Sequence, residues 1–469
     1  MPARRSVPMR ADTRRTVLRG LLAAGSIALL VFVARLVVAA GTVTLYVKAG
    51  SACTSVCTIS NYFHPIACDA GCFAGCGTAT APYTTIQSAL NDADCRIDTG
   101  SVSDATIQVA AGTYPERIFI FPGEHVQCEN QTTTIINATA KNRSAVIFAS
   151  GNSGRYVTNF SIDGCKITGG MGENQATLNF PNVAGGGVYI HGDAVVSNNW
   201  ITGNAISGAQ KDWLGGGIYV NYGNPIIIGN TITKNSANPP PAGGATDSFG
   251  IGGGILVRGP ISQQTTYVRI EGNLIADNTA IAEIGKGGGM SVDGNPGTVV
   301  TRNLIIGNRA SLAGGGLVLY DTFNATDNLV FGNSAATIGG GFHVFEGTAQ
   351  ITNNTIVGNS LTDNAVQSGY SFANYGGGLC VSSTLPQGSN PQVKLTNNLI
   401  AGNTISALGT GPGLLTRNAQ PTITYNDLFN NLKLPSSIIN VEGDFTDSQV
   451  LAMPGNLMQD PLFVHAPAV

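Results

Sequence analysis

From Gly185 to Asn431 the apolar residues fall into two alternating short phrases, and their spacing sets the expectation for the whole chain. One phrase is a glycine triplet running into a segment with period two, as in Gly217-Ile218-Tyr219-Val220-Asn221 and Gly289-Met290-Ser291-Val292-Asp293. Triplets begin at Gly185, Gly215, Gly252, Gly287, Gly314, Gly339 and Gly376, with a degraded copy at Gly411-Pro412-Gly413. The other phrase is Asn-x-apolar-x-x-Asn, from Asn199-Asn204 through Asn303-Asn308 to Asn426-Asn431. Period-two alternation predicts strands with one buried face. Repetition of a short unit predicts a solenoid.

The repeats recur at intervals of 25 to 44 residues. The shortest is too short for a helical pair, yet holds three short strands at ~3.3 Å per residue. Ile201, Ile232, Ile275, Ile305, Val330, Ile356 and Ile400 point inward, and the asparagines beside them suit left-handed bends. Identical amides stacked ~4.8 Å apart can hydrogen-bond from coil to coil. The expectation is an all-β chain, a single-stranded parallel β-helix.

These motifs resemble the right-handed parallel β-helix proteins of the pectin-lyase-like superfamily, from about Thr42 onward. GGG-apolar phrases paired with Phe331-Gly332-Asn333-Ser334 are also similar to the repeats of polymorphic outer-membrane proteins, whose anchoring barrel this chain lacks. Gly112-Thr113-Tyr114-Pro115-Glu116 between two strands resembles the first coils of pectin methylesterases and their non-esterase cousins. Asp460-Pro461-Leu462-Phe463-Val464 resembles a closing motif that usually continues further, which suggests truncation. The catalytic signatures of methylesterases, polygalacturonases, pectate lyases and alginate epimerases are missing, so the resemblance implies a fold and leaves the activity open.

The first forty residues differ in kind. Arg4, Arg5, Arg10, Arg14 and Arg15 precede an apolar run from Gly20 to Ala34, and Val38-Ala39-Ala40 offers a cleavage site. Residues 1–40 are therefore expected to be a signal peptide, with Arg14-Arg15 resembling a twin-arginine signal. An uncleaved membrane anchor is the competing reading. Residues 41–469 form the β-helix domain: cap and first coils over 41–130, repeat coils over 131–431, and a C-terminal cap over 432–469. Thr84-Thr85-Ile86-Gln87 predicts a capping box opening a helix to about Ala93, which covers the first coil.

Composition narrows the partners. After cleavage at Ala40 the chain keeps 17 basic and 26 acidic residues, a net charge near −9. An acidic exported protein is a poor nucleic-acid ligand. It would also repel a polyuronate unless Ca²⁺ bridged the two; no other cofactor can be read, nor an oligomeric state. Cys53, Cys57, Cys68, Cys72, Cys76, Cys95 and Cys128 form cysteine-rich loops that suit disulfides in an exported chain, with a thiolate metal site as the rival. Seven is odd, so one must stay free or pair elsewhere. Cys165 falls on a ladder position and is expected to be a buried thiol.

The outward face of the strand after each triplet is the expected functional surface. Positions two and four after the third glycine face out, and they offer Tyr189, Tyr219, Asn221, Tyr320, His343 and Phe345 as a saccharide platform. Arg258, Asp293 and His191 are the catalytic candidates, with a surface ion pair as the bland reading of the first two. Segments 236–251 and 360–375 are long insertions that raise a rim. Two functions remain: an exported protein that binds, and as a lyase or hydrolase cleaves, a polysaccharide or cell-surface glycan; or a non-catalytic surface rod. Carboxylates clustered with Arg or Lys would favour the enzyme, and a smooth uncharged face the rod.

Overall fold

The computed structural model describes residues 41–53, 75–149, 158–174, 182–206, 212–238, 248–258, 267–362, 375–383, 392–406 and 409–462. The expected signal segment, Cys57, Cys68, Cys72 and parts of both long insertions lie outside the described residues.

One coil shows how the sequence builds all of them. Gly287-Gly288-Gly289 leads into the strand Met290–Thr301, which crosses two faces; the chain bends at Arg302, runs through Leu304–Ile306, bends at Gly307 and ends the turn at Arg309–Ala310. The next coil lies parallel and in register, with Met290 opposite Leu317 and Ile305 opposite Val330. Repetition produces an 11-stranded parallel sheet of Asn-phrase strands and a larger sheet over the other two faces. All seven inward Ile and Val residues of the Asn phrase are buried in one continuous core. The parallel β-helix is therefore as expected.

The asparagines form two ladders. Asn303 donates through its backbone N and its Nδ2 to Asn328 Oδ1, both at 3.0 Å, while Nδ2 also donates to Ile270 O at 3.0 Å. Asn308 does the same toward Asn333 Oδ1 and Ile275 O. One ladder runs from Asn199 to Asn456 and the other from Asn204 to Asn440. The left-handed bend falls one residue earlier than expected: Asn198, Arg302, Asp327, Asn353 and Asn397 carry positive φ, each just before a ladder asparagine. That preceding residue turns the chain, which leaves the asparagine's own amide free to reach the next coil.

The triplets serve the same packing. A Cβ on Gly288 would sit 2.5 Å from Gly315 O, and one on Gly289 would sit 2.9 Å from Asn308 Nδ2. Side chains are excluded there because coils and ladder approach too closely.

The first coil is covered by the helix Ile86–Asp98, whose Ile86, Leu90 and Ala93 join the core. It runs past the expected end, and its cap differs from the expected box. Thr85 is the N-cap, and Glu116 accepts from Ile86 N and Gln87 N at 2.9 and 3.0 Å. Gln87 instead donates to Asn91 and accepts from Phe119 N. The far end carries the short helix Asp447–Leu451, with Val450 buried. Among the described residues no helix is long and apolar enough to cross a membrane.

Disulfides join Cys53 to Cys76 and Cys128 to Cys165, and Cys95 is also disulfide-bonded. The expectation of a free thiol at Cys165 is thus overturned. The ladder position places its Cα 5.1 Å from that of Cys128 on the preceding coil, within bridging distance.

Candidate functional site

Just before each triplet the chain makes one further short strand. Asn182–Ala184, Asp212–Leu214, Phe249–Ile251 and Ile284–Lys286 pair in parallel, and single bridges continue the line through Ala313, Ile338, Tyr375 and Thr410. This flanking sheet stands over the outward side of the post-triplet strands. Position two therefore leaves the central core but does not reach water. Tyr189 and Tyr219 pack with Leu214, Ala184 and Leu256 in a second apolar cluster, their rings 5.4 Å apart. Tyr219 is 0% exposed, so its expected role as an open sugar platform is overturned.

From Leu256 onward the two layers part, leaving a groove of two chambers that share Phe249, Lys286, Tyr320 and Phe345. The first chamber, about 580 Å³, is rich in charge: Asp212, Asp293, Asp321 and Glu346 line it together with Arg258 and Lys286. Register explains the clustering. Asp293 lies opposite Tyr320, Tyr320 opposite Phe345, and Asp321 and Glu346 follow those two rings on successive coils. Burial, then the nearby Asp293 charge, pushes the Tyr320 hydroxyl well above its ordinary pKa. Arg258 reaches the Tyr219 hydroxyl, which also donates to Asn221 Oδ1 at 3.2 Å; burial raises that tyrosine's pKa and Arg258 partly offsets it.

The second chamber, about 450 Å³, has aromatic and aliphatic walls and, among the described residues, no Asp or Glu in its lining. Tyr320 and Phe345 meet edge-on at 5.7 Å, Lys286 Nζ lies 5.7 Å from the Tyr320 centroid, and Arg417 covers Tyr375 at 4.6 Å. His343 forms part of the floor, 5% exposed; one ring nitrogen lies 2.9 Å from Ser382 Oγ and Nδ1 has no partner. Burial, with the Lys286 charge adding to it, lowers the His343 pKa to about 3, so the ring is neutral. Lys286 is also lowered by burial. The Cys380 thiol, pushed up to about 12 by burial, is not a nucleophile.

Of the residues singled out in the sequence, Arg258, Asp293, Tyr320, His343 and Phe345 come together in this groove. Tyr189, Tyr219, Asn221 and His191 line neither chamber. His191 sits two coils from Arg258, beside Tyr222 and Asn221, and burial lowers its pKa. Asp193, two residues further on, accepts from Asn224 N and Nδ2. Lys286, Phe249, Asp321, Glu346, Tyr375 and Arg417 were not anticipated. Phe249, Lys286 and Tyr375 precede the triplet, Asp321 and Glu346 fall at position five, and Arg417 stands at position four after the degraded copy Gly411-Pro412-Gly413. Among the described residues no three His, Cys, Asp or Glu side chains are grouped to hold a metal ion.

Residues 124–385 match a family model described as the right-handed β-helix region. The A-module of a mannuronan C-5 epimerase from Azotobacter vinelandii is similar at 14% identity, covering 80% of this chain and 95% of that one, with a TM-score of 0.36. A pectin methylesterase from carrot is similar at 11% identity, covering 80% and 88%, with a TM-score of 0.24. No curated protein matches.

Proposed function

The chain belongs to the right-handed β-helix family, and on that premise we propose that it is an exported protein that binds a polysaccharide in the groove and hydrolyses it in the charged chamber. One observation carries the reading: four carboxylates share a chamber with Arg258, Lys286 and the Tyr320 and Phe345 rings. A smooth rod has no use for such a concentration of charge. The Arg-rich leader of the sequence and the disulfides support export.

Glycoside hydrolysis needs one carboxylic acid to protonate the leaving oxygen and one carboxylate to activate water or attack the sugar carbon. Such pairs stand about 5–9.5 Å apart. Neighbouring coils, spaced ~4.8 Å, present carboxylates on that scale. Asp293, Asp321 and Glu346 rise coil by coil along one wall, so a chain lying along the solenoid axis meets them in succession. Tyr320 and Phe345 offer ring edges and faces for pyranose packing, while Arg258 and Lys286 stabilise charge that develops on oxygen.

The test is release of reducing ends from a panel of polysaccharides by protein from Gly41 onward, with and without Ca²⁺. Asp293→Asn and Asp321→Asn should each lower kcat by about 10²–10⁴ while leaving glycan binding in place. Binding without turnover by the parent protein, unchanged in both variants, would make the molecule a glycan-binding rod.

A further inference from the structure

The second chamber differs from a sugar subsite. A pyranose presents hydroxyls in all directions and asks for several polar partners. This chamber offers walls of Ile284, Leu312, Ile338 and aromatic rings, with few polar groups. Those few are specific. Lys286 Nζ has no hydrogen bond or ion pair with any described residue, and the ring of Tyr320 is its nearest named partner. His343 lies in the floor, its Nδ1 buried beneath the surface of the chamber. Arg417 stands at the rim over Tyr375. A lysine ammonium held among apolar walls without an anionic partner points to a ligand that supplies one.

We propose that this chamber binds an aryl carboxylate group, its ring between Phe345 and Tyr375 and its carboxylate at Lys286. The described lining holds Lys286 and Arg417 and no Asp or Glu, which favours an anion here, whereas the first chamber, with four carboxylates, would repel one. The two chambers share Phe249, Lys286, Tyr320 and Phe345, so a group held in the second would be joined to whatever lies in the first. Resting on the polysaccharide reading above, the inference gives the substrate class: a glycan bearing an aryl carboxylate whose carboxyl is free, the ring being attached to the sugar through another position.

Isothermal titration of the parent protein with free cinnamate, cinnamamide and acetate tests the chamber without any glycan. Cinnamate should bind, cinnamamide at least 10-fold more weakly, and acetate not measurably. Lys286→Met should weaken cinnamate by about 10-fold with an unchanged thermal melt, and Tyr375→Leu supplies a second variant that removes one ring of the slot. Cinnamate affinity should fall as pH rises through the lysine's depressed pKa. Equal binding of cinnamate and cinnamamide, or indifference to both variants, overturns the proposal. If unsubstituted oligosaccharides bind and cinnamate does not, the subsite is wrong and the groove reading survives. If cinnamate binds and no glycan does, the groove reading falls, and with it the assignment of the group as a glycan substituent.

Discussion

Two edges of the same coil follow opposite rules. At the Asn ladders every coil repeats the same residue, each amide is satisfied by the coils above and below, and nothing reaches solvent. At the groove no two successive coils repeat: position two reads Leu256, Ser291, Val318, His343 and Cys380, and position four reads Arg258, Asp293, Tyr320, Phe345 and Ser382. In a solenoid the repeated residue is the structural one, because stacking rewards identity. The residue that changes from coil to coil is free to do chemistry.

The sharpest way to break this contrast is to remove one ladder amide. Asn308→Ala takes away the acceptor used by Asn278 N and Nδ2 and the donor to Ile275 O, all buried. Urea denaturation should show a loss of about 4 kcal/mol, since each orphaned buried group costs roughly 1–3 kcal/mol. A loss under 1 kcal/mol would mean the ladder is decoration.

Next comes a pair of rings on the two sides of the flanking sheet. Tyr219→Ala empties a fully buried site and should cost about 3 kcal/mol of stability. Phe345→Ala opens a half-buried groove position and should cost less stability, but weaken glycan binding by about 1 kcal/mol. The reverse pattern would put the groove on the wrong side of the flanking sheet.

A further test varies pH. His343 has a folded pKa near 3, below its unfolded value near 6.5. Its contribution is therefore complete above pH 6.5 and is lost as pH falls from 6.5 toward 3, because the unfolded chain takes up the proton first. The acid limb of stability in that window should shrink in His343→Phe. An identical limb in parent and variant would contradict the burial.

The scaffold was legible because its signals are periodic: the triplets, the Asn phrase and the inward Ile each recur in register. The groove was half legible. Arg258, Asp293, Tyr320, His343 and Phe345 follow from counting beyond the third glycine. Tyr189 and Tyr219 obey the same count yet are buried, because the covering strands Asp212–Leu214 and Phe249–Ile251 are three residues long and carry no alternation to announce them. Lys286 and Tyr375 were missed for the same reason. Cys165 was misread because a ladder position that usually holds an amide stands next to Cys128, and only spatial adjacency shows the bond.

The central claim is that the changing residues of the groove, and not the repeating ones, hold the substrate. A crystal structure of Asp293→Asn with an oligosaccharide from the digested polysaccharide tests it directly. The account predicts a sugar chain along the solenoid axis across Tyr320 and Phe345, with Asp321 or Glu346 at the scissile oxygen. A chain bound instead along the Asn-phrase face, or on the coils that carry Tyr189 and His191, would contradict it.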